Sequence, residues 1–276
     1  MDVTAIFRQV RRGVTSAMLV QAKKCNRKFF SGFCYFSNTM LTKRSAARAA
    51  VALASFLVIL CLPGRAQTLQ GLPEIDTYVK LNPDLRFTFQ VKETREGGDP
   101  TQAEIGPSLA FYLKPLVKLK GATEFVLDDS KSRLLVLTIG YRYLPEANGA
   151  PGTNRLEPVA TLNFPMKGKF LLSDRNRADI DWQNGSFSWR YRNRFQVEKT
   201  LRFGSYHPAP YVSVEFFYES QYSKWSDTAL YAGCLFPISK HVELDPYYEH
   251  QNNTGTSPNQ QLDQLGIILN LFFSVK

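Results

Sequence analysis

The chain has 276 residues, 44% of them hydrophobic, with 34 Lys and Arg against 24 Asp and Glu and a formal net charge of +10. The excess is confined to one end: residues 1–66 carry 11 of the bases and a single acid, Asp2, so residues 67–276 hold 23 of each and are neutral. A polyanion such as nucleic acid is therefore not implied as a partner, and with Cys25, Cys34 and Cys61 all before residue 67, Cys234 alone cannot form an intrachain disulfide in an oxidising compartment.

Residues 1–39 show neither a helical nor a strand period and read as an unstructured extension or a mis-assigned start, with Met40 as the true initiator. From Met40 the chain has the layout of a secretory signal peptide, residues 40–66. A basic Lys43-Arg44-Ser45-Ala46-Ala47-Arg48 precedes the 14-residue apolar stretch Ala49 to Leu62, in which Ser55 is the one polar side chain; it is too short to cross a bilayer as a helix, and the small residues Gly64 and Ala66 favour cleavage between Ala66 and Gln67. The exported domain is then 67–276.

That domain reads as strands throughout. Ile75, Thr77, Val79, Leu81, Leu85, Phe87, Phe89 and Val91 keep one parity against Asp76, Lys80, Arg86, Gln90 and Lys92 on the other, with Asn82-Pro83-Asp84 as a candidate break. Further strands are expected near 102–114, 133–143, 154–164, 170–182, 187–200, 210–220, 228–236, 241–251 and 261–273, most of them long enough to cross a membrane when tilted. If residues 75–91 form one bent strand the total is ten; a hairpin at Pro83 makes eleven, which would call for a twelfth if the number must be even. Proline cannot donate to a ladder, so Pro115, Pro165 and Pro237 read as punctuation at strand ends.

The run Phe187 to Val197 decides the class of the fold. Phe187, Trp189, Tyr191, Phe195 and Val197 lie on one face, and Arg190, Arg192 and Arg194 on the other. Three consecutive inward arginines cannot face a dry core. A lipid-facing apolar row with a wet interior fits both faces, which is the pattern of an outer-membrane barrel.

Asn184-Gly185 between alternating segments is a strong hairpin signal. A two-residue turn there pairs residues whose numbers sum to 369: Ile180 with Trp189, Trp182 with Phe187 and Asp179 with Arg190, but also Arg177 with Arg192 and Arg175 with Arg194. Like charges placed opposite require acids beside them, and the next strand offers them, with Arg194 near Glu215 and Arg190 near Glu219. The candidate site is thus a lumenal charge patch of Arg175, Arg177, Asp179, Arg190, Arg192, Arg194, Glu215 and Glu219, read either as a structural network filling a narrow barrel or as a selectivity zone for anionic solutes. The same register pairs Asn176 with Asn193 on the lipid side, which calls for a shifted register or a level outside the hydrocarbon.

No catalytic residue, metal site or cofactor is assigned. His207, His241 and His250 are the only histidines, and Tyr247-Tyr248-Glu249-His250-Gln251-Asn252-Asn253 lacks a serine at the spacing used by His-Ser lipid hydrolases of outer membranes. His241, Glu243, Asp245 and Glu249 share a parity that could serve a divalent cation near the rim, but alternating carboxylates on a lumenal strand are more often solvated. The final segment, with Leu265, Ile267, Leu269, Leu271 and Phe273 on one side, resembles the C-terminal strand by which outer-membrane barrels are recognised for insertion, although Ser274-Val275-Lys276 follow it.

The succession Ser173-Asp174-Arg175-Asn176-Arg177, Trp189-Arg190-Tyr191-Arg192-Asn193-Arg194, Glu215-Phe216-Phe217-Tyr218, Tyr247-Tyr248-Glu249-His250-Gln251 and the apolar last strand resembles the domain of unknown function 2490 family over roughly Ile75 to Phe273. The resemblance implies a bacterial outer-membrane location and a barrel architecture, and no reaction or ligand. The expected fold is all-β, an antiparallel up-and-down transmembrane β-barrel of about ten strands, with twelve as the alternative. Its expected role is that of a small channel or solute-binding barrel, with a closed scaffolding barrel or a lipid-modifying enzyme as alternatives. The expected partners are outer-membrane lipid and lipopolysaccharide, the barrel-assembly machinery and a small polar or anionic solute.

Overall fold

The computed structural model describes residues 68–113, 127–147, 149–255 and 257–275. The extension 1–39, the signal segment 40–66 with its cleavage site, and Pro115 lie outside the described residues. Eleven strands follow one another along the chain: β1 (Thr68–Asn82), β2 (Leu85–Glu96), β3 (Asp99–Tyr112), β4 (Leu135–Leu144), β5 (Thr153–Met166), β6 (Phe170–Gln183), β7 (Ser186–Lys199), β8 (Ala209–Glu219), β9 (Lys224–Pro237), β10 (Val242–Asn253) and β11 (Gln260–Ser274). Each pairs antiparallel with its successor, and β1 closes the ring by pairing parallel with β11, from Thr68↔Leu262 to Lys80↔Ser274. The only other regular element among the described residues is a 3-10 turn at Asp129–Ser132.

Alternation sorts the side chains of every strand into an inner and an outer set, and here the sets are inverted relative to a water-soluble protein. Trp182, Phe187, Trp189, Phe195, Val212, Phe216, Leu230, Leu265 and Ile267 are exposed, whereas the largest fully buried side chains are Glu198, Glu215 and Asp179. Aromatic rings gather outside one end of the barrel, with Trp182 against Phe187 (5.9 Å), Trp189 against Tyr218 (5.5 Å) and Tyr218 against Trp225 (5.7 Å). Such a collar suits the boundary between an apolar and an aqueous medium.

The number of strands is neither the expected ten nor the alternative twelve. Pro83 and Asp84 form a turn, so the supposed bent strand is the hairpin β1–β2, in which Ile75 faces Val91, Thr77 faces Phe89 and Val79 faces Phe87. Because those pairs have even sums, the outward row keeps one parity through the turn, and a hairpin imitates a single strand. An even number of strands is needed only when every neighbouring pair is antiparallel; one parallel pair permits eleven.

Proline also behaves differently from expectation. Pro165 and Pro237 do fall at the ends of β5 and β9, but Pro107, Pro158 and Pro246 sit inside β3, β5 and β10. Each interrupts the ladder on one side only: pairing skips Gly106 and Pro107 between β3 and β4, Glu157 and Pro158 between β5 and β6, and Asp245 and Pro246 between β10 and β9. A missing donor is tolerated where its loss costs one rung of a long ladder. At the first gap the Arg142 guanidinium donates to the Pro107 and Tyr141 carbonyls, each at 2.9 Å.

The hairpin register β6–β7 is the expected one at every position, including Arg177↔Arg192, Arg175↔Arg194 and Asn176↔Asn193. Asn184 (φ 48°) and Gly185 (φ 79°) both adopt the left-handed conformation that a two-residue hairpin turn demands. The outward amides need no slip, because they satisfy one another. Asn193 Nδ2 donates to Asn176 Oδ1 (3.0 Å) and Asp174 Oδ1 (2.8 Å), while the Tyr191 hydroxyl donates to Asn176 Oδ1.

The parallel seam can be tested by cross-linking. In a Cys234→Ser background, Thr77→Cys with Leu271→Cys should form a disulfide under mild oxidation, since the two are direct partners across β1 and β11. Val79→Cys with Leu265→Cys, far apart in this register, should stay reduced; the reverse result on non-reducing gels would refute parallel closure.

Candidate functional site

The central charge network is built by β4 to β9 around two carboxylates. Asp179 on β6 and Glu215 on β8 have no exposed surface, and each is shared by three guanidinium groups. Arg192 grips Glu215 with both Nε (2.9 Å) and Nη2 (3.0 Å), Arg194 does so at 3.0 and 2.6 Å, and Arg175 reaches it at 3.2 Å. The Tyr231 hydroxyl adds a fourth donor at 2.9 Å. Asp179 accepts from Arg177 and from Arg190 at 2.9 Å, with Arg192 at 3.7 Å. The opposed like charges of the β6–β7 register thus coexist because a carboxylate stands beside each pair, and planar guanidinium forks suit this sharing.

All eight residues singled out in the sequence face inward on their strands. Arg194 meets Glu215 at 2.6 Å, and Arg190 meets Glu219 at 3.7 Å. The network extends further than the sequence reading reached. Arg177 also binds Glu157, Arg142 lies 3.5 Å from Glu157, and Arg155 holds Asp181 through two bonds of 2.7 and 2.9 Å. The inward parity of Arg142 on β4 and of Arg155 and Glu157 on β5 was the available signal, since lumenal charges on adjacent strands must compensate one another. His241, by contrast, does not join Glu243, Asp245 and Glu249 inside; it stacks on Phe273 and its Nδ1 lies 2.9 Å from the Phe272 carbonyl oxygen. His250 turns outward, 2.8 Å from Asp263.

Aromatic side chains cover the wall between the charges. Arg194 lies over the Tyr231 ring (3.9 Å) and Arg192 over Phe217 (4.8 Å). Tyr211 and Tyr247 lie flat across glycines that face them on the neighbouring strand, Gly233 and Gly266. A Cβ at Gly266 would come within 2.0 Å of the Tyr247 ring, and one at Gly233 within 2.5 Å of Tyr211. Glycine at these two places lets a ring lie against the wall without projecting into the lumen.

What remains is a polar cavity of about 760 Å³, lined by charged residues from most of the strands. The described part of the connection between β3 and β4 enters the mouth at the Pro83 end. Its residues 127–134 are held by Arg86 to Asp128 (2.5 Å), Lys80 to Asp129 (2.5 Å), Lys131 to Glu198 (2.5 Å) and Asn163 to the Ser130 and Arg133 carbonyls (3.3 and 3.0 Å). Asp128, Ser130 and Lys131 also line a second cavity of about 280 Å³. Burial opposes the Asp128 carboxylate, but Arg86, Lys131 and the Ser130 N–H outweigh it and hold it below the usual range. Burial likewise opposes the Lys131 ammonium, which Glu198, Glu243 and Asp128 hold above its usual range.

Two outcomes follow from this geometry. Glu215→Gln would leave three arginines around a neutral amide, and the loss is expected to be about 3–5 kcal/mol, measurable as a lower urea midpoint in detergent micelles. For the inserted segment, a lowered acid contributes stability that is present above pH ~4 and is lost as pH falls through its depressed value; a raised amine contributes below pH ~10.4 and is lost above that. The protection of residues 127–134 against hydrogen exchange, corrected for the intrinsic pH dependence of amide exchange, should therefore be flat between about pH 5 and 9. Arg86→Gln should raise exchange in this segment across the whole window, while the β6–β7 amides stay protected.

Among curated proteins no match to this chain is found. A family model does match, over residues 74–262, a span that contains every lumenal carboxylate and arginine described above. The chain belongs to the family described as "Protein of unknown function (DUF2490)".

Proposed function

We propose that the protein is a bacterial outer-membrane barrel, delivered by the general secretory route, whose charged lumen admits small polar solutes without transforming them. The observation that carries this reading is the 760 Å³ cavity with a polar lining inside a closed, apolar-surfaced cylinder. An apolar exterior at this scale matches acyl chains, and a lumen lined by Arg, Glu, Gln and Tyr matches hydrated solutes. Outer-membrane lipid and lipopolysaccharide would contact the outer face, and insertion would use the barrel-assembly machinery. This reading gives no hydrolytic role to His250, which is held by Asp263, or to His241, which lies against the Phe272 carbonyl and the Phe273 ring.

A closed scaffolding barrel is the second reading, favoured by residues 127–134 standing in one mouth. Planar bilayers decide between the two. The purified protein is expected to give discrete conductance steps, larger in Arg86→Gln, where the inserted segment is released. A silent record across all voltages, in the wild type and in Arg86→Gln, would leave only the scaffold. Membrane placement has its own test: Val214→Arg, on the outer face, should cost about 2–4 kcal/mol in lipid vesicles if it lies near mid-bilayer and almost nothing if that face meets water.

A further inference from the structure

The lumen has two walls of opposite sign. In the ring of eleven strands β1 stands five places from β7 in one direction and five from β6 in the other, so it is diametrically opposite the arginine hairpin. On the hairpin side Arg175, Arg192 and Arg194 share the single carboxylate of Glu215, and the Nε of Arg175 is buried with no partner. Glu74 and Asp76 stand on β1 at that opposite side, and Glu243, Asp245 and Glu249 on β10, two strands from β1 and three from β7. None of these five acids takes part in an ion pair among the described residues. Four of them are held by neutral donors: Gln90 to Glu74, the Tyr78 hydroxyl to Asp76 (2.9 Å), Asn270 to Glu243 (3.2 Å) and the Tyr211 hydroxyl to Asp245 (3.1 Å). Asp76 is only 9% exposed, and its Oδ1 is buried without a partner. The cations nearest this wall are Lys92, the cross-strand partner of Glu74, and Arg86, Arg142 and Lys131, which already face Asp128, Glu157 and Glu198 respectively.

Both walls line the same cavity. Eleven strands spaced about 4.8 Å apart and tilted by about 40–45° enclose a backbone diameter of roughly 22–24 Å, so the β1 acids lie too far from the hairpin arginines to pair with them directly and a field runs across the lumen between them. An anion is drawn to the arginines and repelled by the far acids, and a cation meets the reverse. A molecule bearing both charges gains from both walls by turning its dipole along the field. We propose that the lumen selects zwitterions, with the carboxylate or phosphate of the solute directed to Arg175 and Arg194 and its ammonium to Asp76 and Asp245. This inference rests on the solute-passage reading above.

The test is swelling of proteoliposomes in glycylglycine, a zwitterion, against erythritol, a neutral solute of similar size. Glycylglycine is expected to enter about fivefold faster, the gain from one favourable charge contact in a wet lumen. Arg175→Gln with Arg194→Gln should abolish that ratio, as should Asp76→Asn with Asp245→Asn, while Arg175→Lys should keep it; heat-modifiable gel mobility identifies variants that fail to fold. In a KCl gradient the wild type should show a reversal potential near zero, the arginine variant a shift toward K+ and the acid variant a shift toward Cl−. Equal rates for the two solutes, or a ratio that survives both double variants, would overturn zwitterion selection and leave an open barrel. No swelling in either solute would overturn solute passage itself, and zwitterion selection with it.

Discussion

Sharing one carboxylate among several guanidinium groups is the constraint on which this interior depends. The hairpin β6–β7 puts five arginines into the lumen, and two of its rungs place arginine directly against arginine. In water such pairs would part, but inside a closed sheet the backbone ladder holds them in place. Asp179 and Glu215 make the arrangement tenable because a carboxylate has lone pairs enough for several donors, and a guanidinium presents two parallel N–H groups to each. Tyr231 and the faces of Phe217 and Tyr231 complete the lining, so that charge is buried with its partners already in place.

The outer surface follows a complementary rule. Apolar residues occupy nearly the whole outward row, and the few polar groups there close on themselves. Asp174, Asn176, Tyr191 and Asn193 form one hydrogen-bonded knot spanning β6 and β7. Interior prolines obey the same economy, each sacrificing a rung on one side while keeping the other ladder intact.

Much of this was legible in the sequence because alternation on a strand is strict. The parity of Phe187 to Val197 alone excludes a dry core, and Asn184-Gly185 sets the register of its hairpin without reference to anything distant. What escaped was information that parity does not carry. A hairpin with even pair sums, as at Pro83, looks identical to an unbroken strand. The Tyr247–Gly266 and Tyr211–Gly233 contacts show only as isolated glycines until the strands are side by side. The entry of residues 127–134 into the mouth depends on Arg86, Asn163 and Glu198, which lie on three other strands.

The parallel seam separates the two ends of the sheet: β1 begins at one rim, and β11 finishes at the other. Ten of the eleven interfaces join sequence neighbours, while the eleventh unites Thr68 with Leu262. Loop-closure entropy therefore falls almost entirely on one late step. A chain that has completed every hairpin but not this seam is a curled sheet with two long bare edges, sticky toward any other strand, so the speed of that last encounter governs how much of the protein matures and how much aggregates.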